Sequence, residues 1–199
     1  EGYAMHMPSP NTVAPAQGLY QPDEFKDNCG FGLIAHMQGD ASHDLVKTAI
    51  HSLSCMTHRG GIAADGKTGD GCGLLLAMPK AFFREEAKKL SDITLSEVFA
   101  VGTVFLNLDP AIAAHSKQVL AKEIESEGLK VLAWRVIPTN VDALGEIALQ
   151  SMPAFEQIIV NCPMGVTEVE FNRKLFLARR RAEQLLSNDS SFYVTTLCS

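Results

Sequence analysis

The stretch Asp27-Asn28-Cys29-Gly30-Phe31-Gly32-Leu33-Ile34-Ala35 places a cysteine between a polar lead-in and a hydrophobic run. A second unusual block lies downstream, His58-Arg59-Gly60-Gly61-Ile62-Ala63-Ala64-Asp65-Gly66-Lys67-Thr68-Gly69-Asp70-Gly71-Cys72-Gly73. One short predicted helix separates the blocks, so a cysteine, an arginine and a glycine-dense turn are predicted to lie close together. Glycine lets a substrate approach the backbone, and arginine can bind a carboxylate through two hydrogen bonds. The pattern is typical of a site for cysteine attack on a carbonyl.

These two blocks resemble the start of the glutaminase domain of the bacterial glutamate synthase large subunit. Supporting stretches are Pro138-Thr139-Asn140, Leu144-Gly145-Glu146-Ile147-Ala148 and Leu175-Phe176-Leu177-Ala178-Arg179-Arg180. The resemblance extends from near Leu19 to the end of the chain. It implies an α+β fold of the N-terminal nucleophile hydrolase type, a four-layer α/β/β/α sandwich. Residues 29–199 are expected to form roughly the first half of that sandwich.

The resemblance also implies a reaction and its site residues. Cys29 would attack glutamine to give a thioester and ammonia, and water would then release glutamate. Arg59, Asp70 and Gly71 would bind the substrate. In the full-length enzyme of this family, ammonia is passed on to 2-oxoglutarate with the help of FMN and a 3Fe-4S cluster. Electrons come from NADPH through FAD in a small subunit, so the expected partners are glutamine, the remainder of the large subunit and that small subunit. No cofactor and no metal is expected in this chain itself.

The position of Cys29 within the chain matters because of proton transfer. A thiol with a pKa of about 8.5 needs a base, and a free α-amine with a pKa of about 7.7–8 can serve at neutral pH. The nitrogen of a peptide bond cannot serve, because resonance ties up its lone pair. The resemblance therefore implies cleavage between Asn28 and Cys29. Residues 1–28 are interpreted as a flexible leader, with Glu1–His6 as an expression-vector remnant and the rest as a propeptide.

The chain departs from the family pattern in ways that predict an inactive fragment. The family's oxyanion hole uses an Asn-Gly pair, and no asparagine precedes glycine here. Losing one oxyanion donor costs about 10²–10³ in rate. The second substrate-gripping arginine and the carboxylate for the substrate amine are expected beyond Ser199. A truncated sandwich would expose an open sheet edge at Ser191–Cys198, so self-association is also predicted.

The amino-acid composition argues against nucleic-acid and membrane partners. The net charge of −6 and the pI of about 5.5 argue against nucleic acid as a partner. Apolar runs such as Val98–Leu106 are too short to span a bilayer, so no membrane partner is expected. The five cysteines are scattered, odd in number and lack a Cys-x-x-Cys pair, which favours a reducing cytoplasm.

Periodicity and capping residues predict an alternation of strands and helices from Cys29 onward. Ser42, the Asp109-Pro110 pair and the Thr167-x-x-Glu170 capping box mark three helix starts. Strands are predicted at Phe31–Met37, Cys72–Met78, Val98–Leu106, Leu129–Ile137, Phe155–Asn161 and Ser191–Cys198. Helices are predicted at Ser42–Met56, Pro79–Leu90, Asp109–Gly128, Leu144–Met152 and Thr167–Leu186.

Alternative interpretations remain open. In the first, the chain is a non-catalytic interaction domain with a structural Cys29, and the basic helix carrying Arg173-Lys174 and Arg179-Arg180-Arg181 binds a partner. In the second, His51, Cys55 and His58 share one helix face at a spacing that could hold a metal. The match of Gly30-Phe31-Gly32-Leu33-Ile34-Ala35 to a dinucleotide fingerprint is set aside, because a predicted strand follows it instead of a helix.

Overall fold

The computed structural model describes residues 30–56 and 61–199, which fall into two compact units on either side of Arg59 and Gly60. The first unit contributes α1 (His43–Cys55) to this description. The second contains α2 (Lys80–Ser91), β1 (Phe99–Leu106), α3 (Pro110–Ser126), β2 (Lys130–Val136), a 3₁₀ turn (Val141–Ala143), α4 (Glu146–Gln150), β3 (Ala154–Asn161), α5 (Glu168–Leu185) and β4 (Tyr193–Cys198).

Capping side chains begin the longer helices as the sequence predicts. Ser42 accepts a hydrogen bond from the Leu45 N–H at the start of α1. Asp109 accepts from the first two free amides of α3, with Pro110 at the first helical position. Thr167 accepts from the Glu170 N–H at the start of α5. Each oxygen satisfies a backbone donor that the helix itself leaves unpaired.

The strands of the second unit form one antiparallel sheet in the order β2-β3-β1-β4. β1 lies in the centre and is paired on both sides, whereas β2 and β4 are the sheet edges. Alternate residues of β1 point to opposite faces, as the pleat requires. Phe99 and Val101 are therefore buried on one face, and Ala100 and Val104 on the other.

The larger core lies on the face that α3 and α5 cover. Leu120 and Ile124 of α3 meet Phe171 and Leu175 of α5 over Val104, all fully buried. The opposite face carries a smaller cluster built on Phe83 and Ala87 of α2. A sheet with helices packed on it, made from antiparallel strands, confirms the predicted α+β class.

An ion pair attaches α2 to the edge strand β2. The Arg135 guanidinium donates to Glu86 Oε2 at 2.9 Å, and Lys89 donates to Glu86 Oε1 at 2.8 Å. The hydrogen bond from Lys89 and then that from Arg135 lower the pKa of Glu86 below its ordinary 4.5. Stability from this carboxylate is therefore present above pH 4.5 and lost as the pH falls through its lowered pKa.

Two predicted strands are wrong. Phe31–Met37 and Cys72–Met78 contain no strand, and Met37 lies in a turn. A strand needs a neighbour for its N–H and C=O groups, and among the described residues neither segment has one. Their apolar side chains are correspondingly exposed, with Phe31 94% and Leu75 88% accessible. An apolar run becomes a strand only where a neighbouring strand pairs with it.

The predicted helix Leu144–Met152 is shorter than expected. The structure has the 3₁₀ turn first, then α4 over Glu146–Gln150 only. Gly145 stands at the N-cap of α4 and has no side chain to cap it. Because α4 begins only after Gly145, its first turn lies against the glycine-rich loop. This contact positions the loop that carries the candidate site residues.

Candidate active site

The glycine-rich loop, residues 61–73, is folded back on itself as a narrow hairpin. Ile62 and Gly69 form an isolated antiparallel bridge, and the Ala63 N–H donates to the Thr68 carbonyl at 2.7 Å. Gly66 closes the tip with φ +69°, a left-handed angle that a side chain would disfavour. The turn at the tip of the hairpin therefore accounts for the glycine at position 66.

Asp70 fastens the base of the hairpin. Its Oδ2 accepts a hydrogen bond from the Gly61 N–H at 2.9 Å, while the residue as a whole is exposed. Gly61 follows Arg59 by two positions in the chain. Asp70 therefore fixes the backbone at Gly61, two positions after the predicted substrate arginine in the sequence.

Gly71 is exposed and surrounded by space. A Cβ built on it would meet no heavy atom within 4 Å. Its amide donates no hydrogen bond to another residue in the described part of the chain. An exposed amide on a fixed loop can donate to a carbonyl or carboxylate oxygen of a small ligand.

Cys29 and Arg59, the predicted nucleophile and substrate arginine, lie outside the described residues. Of the predicted set, the structure describes Asp70 and Gly71, which are consecutive residues of the glycine-rich loop. The structure also shows that Asp65 and Thr68 hold the tip of the hairpin. The sequence analysis assigned no role to either residue. The Asp65-Gly66-Lys67-Thr68 run was a usable signal, since aspartate often accepts from amides two and three residues on.

Asp65 is the most heavily hydrogen-bonded carboxylate of the loop. Its Oδ1 accepts from the Lys67 N–H at 3.0 Å and the Thr68 N–H at 2.8 Å. Its Oδ2 accepts from the Thr68 hydroxyl at 2.5 Å and from the Ile147 N–H at 3.2 Å. The Thr68 hydroxyl and then the Lys67 amide hold the pKa of Asp65 well below its ordinary 3.8, because each donor stabilises the charged form.

Of the three residues proposed to bind a metal on α1, the structure describes two. His51 Nε2 and Cys55 Sγ are 3.8 Å apart on α1, and His58 lies outside the described residues. Within the described ranges, no group of three His, Cys, Asp or Glu side chains could hold a metal ion.

The basic run on α5 is occupied by carboxylates of the chain itself. Arg181 donates to Glu123 of α3 at 2.8 Å and also to Glu127. Arg179 and Arg180 both pair with Glu183. The hydrogen bond from Arg181 lowers the pKa of Glu127, as expected for a carboxylate held against a guanidinium. The Arg181 pairs fasten α5 to the C-terminal end of α3, whereas Arg179 and Arg180 pair within α5 itself.

Comparison with known proteins places the chain in a family. The sequence pattern of the class II glutamine amidotransferases matches residues 29–199, and the chain belongs to this family. It is 37% identical over 191 residues to the glutamate synthase [NADPH] large chain of Bacillus subtilis. It is 36% identical over 184 residues to the large chain of the same name from Azospirillum brasilense. Ferredoxin-dependent glutamate synthase 2 of Synechocystis is 37% identical over 188 residues.

These alignments cover 95%, 89% and 92% of the chain, and 12% of each relative. The chain thus spans about an eighth of the length of the curated relatives it matches. The matched region begins at Cys29. In the described part of the chain, no helix is both long and apolar enough to cross a membrane.

Proposed function

We propose that this chain contributes the glutaminase site of a glutamate synthase, with Cys29 as the nucleophile. The observation that carries the proposal is the hairpin, closed at its base by the Asp70–Gly61 hydrogen bond, that exposes Asp70 and Gly71 in a chain of the class II amidotransferase family. Arg59 binds the substrate carboxylate, and the Gly71 amide and Asp70 Oδ1 contact the rest of glutamine.

The reaction uses protein groups and water. The Cys29 α-amine accepts the thiol proton, and the sulfur attacks the side-chain amide carbon of glutamine. The carbon–nitrogen bond then breaks, and nitrogen leaves as ammonia with a proton returned from the amine. Water attacks the thioester, releasing glutamate and restoring the thiol. This sequence requires that the Asn28–Cys29 bond be cut, so we propose that the unprocessed chain of 199 residues does not turn over glutamine.

The wider role follows from the relatives. We propose that ammonia released here passes to 2-oxoglutarate within a longer cytoplasmic enzyme that also engages a small electron-donating subunit. The residues described here do not fit a 3Fe-4S cluster, which is held by grouped cysteine thiolates, because no such group of three exists among them. FMN and the cluster would accordingly be held by other parts of that enzyme, and NADPH and FAD by its small subunit.

The isolated chain is further proposed to associate with copies of itself. β4 pairs with β1 along one side and is an edge of the sheet, and such edges recruit other strands. Exposed apolar side chains such as Phe31 and Leu75 add to that tendency. Light scattering should show dimers or larger species, and a monodisperse monomer at high concentration would contradict this.

The glutaminase proposal is tested by measuring glutamate and ammonia release from the complete polypeptide, processed so that Cys29 is its first residue. Cys29→Ala should abolish release, because no other group forms the thioester. Cys72→Ala is the matched control, since Cys72 is an exposed cysteine on the glycine-rich loop and should be dispensable. Unchanged turnover in Cys29→Ala would contradict the assignment of Cys29 as the nucleophile. Absence of turnover in the processed parent polypeptide would instead favour the non-catalytic interaction domain.

A further inference from the structure

The first turn of α4 is capped by residues from a distant part of the chain. Gly145 at its N-cap has no side chain, yet two of the free amides of the turn are satisfied. The Ile147 N–H donates to Asp65 Oδ2 and the Ala148 N–H donates to Thr68 Oγ1, both at 3.2 Å. The cap that the sequence omits at position 145 is supplied by the hairpin about 80 residues earlier.

Gly145 is required by this contact and not by its backbone angles. A Cβ at position 145 would clash with Asp65 Oδ2 and Thr68 Oγ1, and it would lie 2.6 Å from the Thr68 nitrogen. Its φ of −78° is accessible to any residue. The glycine therefore marks a place where two backbones touch, and the hairpin tip fits directly against α4.

We propose that Asp65 and Thr68 are positioning residues, which fix the glycine-rich loop to α4 and thereby set how tightly glutamine is bound. This inference rests on the proposed function, because it assigns the loop's Asp70 and Gly71 to the substrate. The hairpin is held at its base by Asp70 and at its tip by α4, so the segment that presents Gly71 has two fixed supports.

The two halves of the Asp65 carboxylate allow the contact with α4 to be removed selectively. Oδ1 maintains the turn within the loop, whereas Oδ2 meets the α4 amide and the Thr68 hydroxyl. In Asp65→Asn, the amide oxygen can keep the turn, and the NH₂ group would then face the Ile147 N–H. Two donors would oppose each other, which breaks the contact while the local turn persists.

The test measures alkylation of Cys29 by an electrophilic glutamine analogue in the complete polypeptide, processed to begin at Cys29. The analogue concentration that gives half the maximal rate reports binding, and the maximal rate reports the thiol's chemistry. Asp65→Asn and Gly145→Ala should each raise the half-saturating concentration roughly tenfold, as expected for loss of a hydrogen bond to a charged group. The maximal rate and the rate with iodoacetamide, which needs no glutamine site, should change less than about twofold.

Matched variants separate positioning from general damage. Thr68→Ser keeps the hydroxyl and should bind like the parent protein, whereas Thr68→Val should behave like Asp65→Asn. Lys67→Ala removes an exposed side chain from the same tip and should have no effect. Because Asp65→Asn and Gly145→Ala disrupt one contact, the double variant should be no worse than either single variant.

An unchanged half-saturating concentration of the analogue in both Asp65→Asn and Gly145→Ala would overturn the positioning role. A decrease in the maximal alkylation rate without a change in that concentration would overturn it as well. A half-saturation that rises equally in Lys67→Ala would also overturn it, since the effect would not depend on α4. Absence of any Cys29 adduct in the parent protein would instead overturn the proposed function and the inference with it.

Discussion

Replacing Gly102 with alanine should destabilise the sheet by about 1–2 kcal/mol, although its backbone conformation suits any residue. Gly102 lies in β1, the central strand, opposite Ile158 on one side and Leu197 on the other. A Cβ at this position would lie 2.8 Å from Leu197 Cδ1, 2.9 Å from the Thr196 carbonyl oxygen and 3.0 Å from Ile158 Cγ2.

The magnitude follows from which of these atoms can move. The Leu197 and Ile158 methyl groups can shift by rotation, but the Thr196 carbonyl is held in the β1–β4 ladder. Overpacking of this kind costs about 1–3 kcal/mol, and the immobile carbonyl favours the upper half of that range. Alanine lowers the entropy of the unfolded chain relative to glycine, which offsets about 0.4–1 kcal/mol.

The assay is urea unfolding of the chain, followed by far-ultraviolet circular dichroism and by fluorescence of Trp134 in β2. At a slope of about 2–3 kcal/mol per molar, the midpoint should fall by about half a molar with the slope unchanged. Gly73→Ala is the control, because a Cβ there meets no atom within 4 Å and should leave the midpoint unchanged or slightly raised. A Gly102→Ala midpoint equal to that of the parent chain would refute the packing reasoning.

Three further predictions concern capping, charge and thiol chemistry. Thr167→Ala should cost about 1 kcal/mol in urea unfolding through loss of the α5 cap, and Thr167→Ser should restore it. Glu86→Gln should lower the unfolding midpoint most near neutral pH, and the difference should vanish as the pH falls below 4.5 through the lowered pKa of Glu86. Glu85→Gln, which removes an exposed charge next to it, should give no such pH-dependent difference. Burial and then Glu168 raise the pKa of Cys162, so peptide mapping after iodoacetamide treatment should find it alkylated more slowly than exposed Cys55; equal rates would contradict this.

The helices and the four strands of the sheet were predictable because their signals are local. Capping residues and apolar periodicity over a few residues identify the starts of α1, α3 and α5. The runs at Phe99–Leu106 and Ala154–Asn161 are rich in β-branched and aromatic residues, which favour a half-buried pleated surface. Their antiparallel order could not be read from the sequence, since strand pairing depends on residues far apart in the chain.

Phe31–Met37 and Cys72–Met78 were predicted as strands and are not, because a local apolar pattern does not reveal whether a partner strand exists. An apolar run reports that a segment is hydrophobic, and only a partner strand converts it into part of a sheet. The helix at Leu144–Met152 was predicted too long for a related reason. The break at Gly145 reflects a contact with Asp65 and Thr68, about 80 residues away, which no local pattern contains.

The sequence identifies which segment forms the candidate site, but it does not identify what each residue in that segment does. The glycine-rich block was singled out correctly as a folded turn, and Asp70 and Gly71 do share one exposed loop. Their binding of glutamine stays a prediction, as do the roles of Cys29 and Arg59. The capping of α4 by Asp65 and Thr68 could not be predicted from the sequence, because two helices and two strands, α2, β1, α3 and β2, separate the two segments.

The most direct test of the central claim is the intact mass and peptide map after incubation with an electrophilic glutamine analogue. Two forms should be compared, one carrying residues 1–28 and one beginning at Cys29. We predict a single adduct on Cys29 in the form that begins there and none in the longer form, with Cys72 unmodified in both. An adduct on Cys29 regardless of the preceding residues, or one on Cys72 instead, would contradict the claim that a free Cys29 α-amine activates the nucleophile.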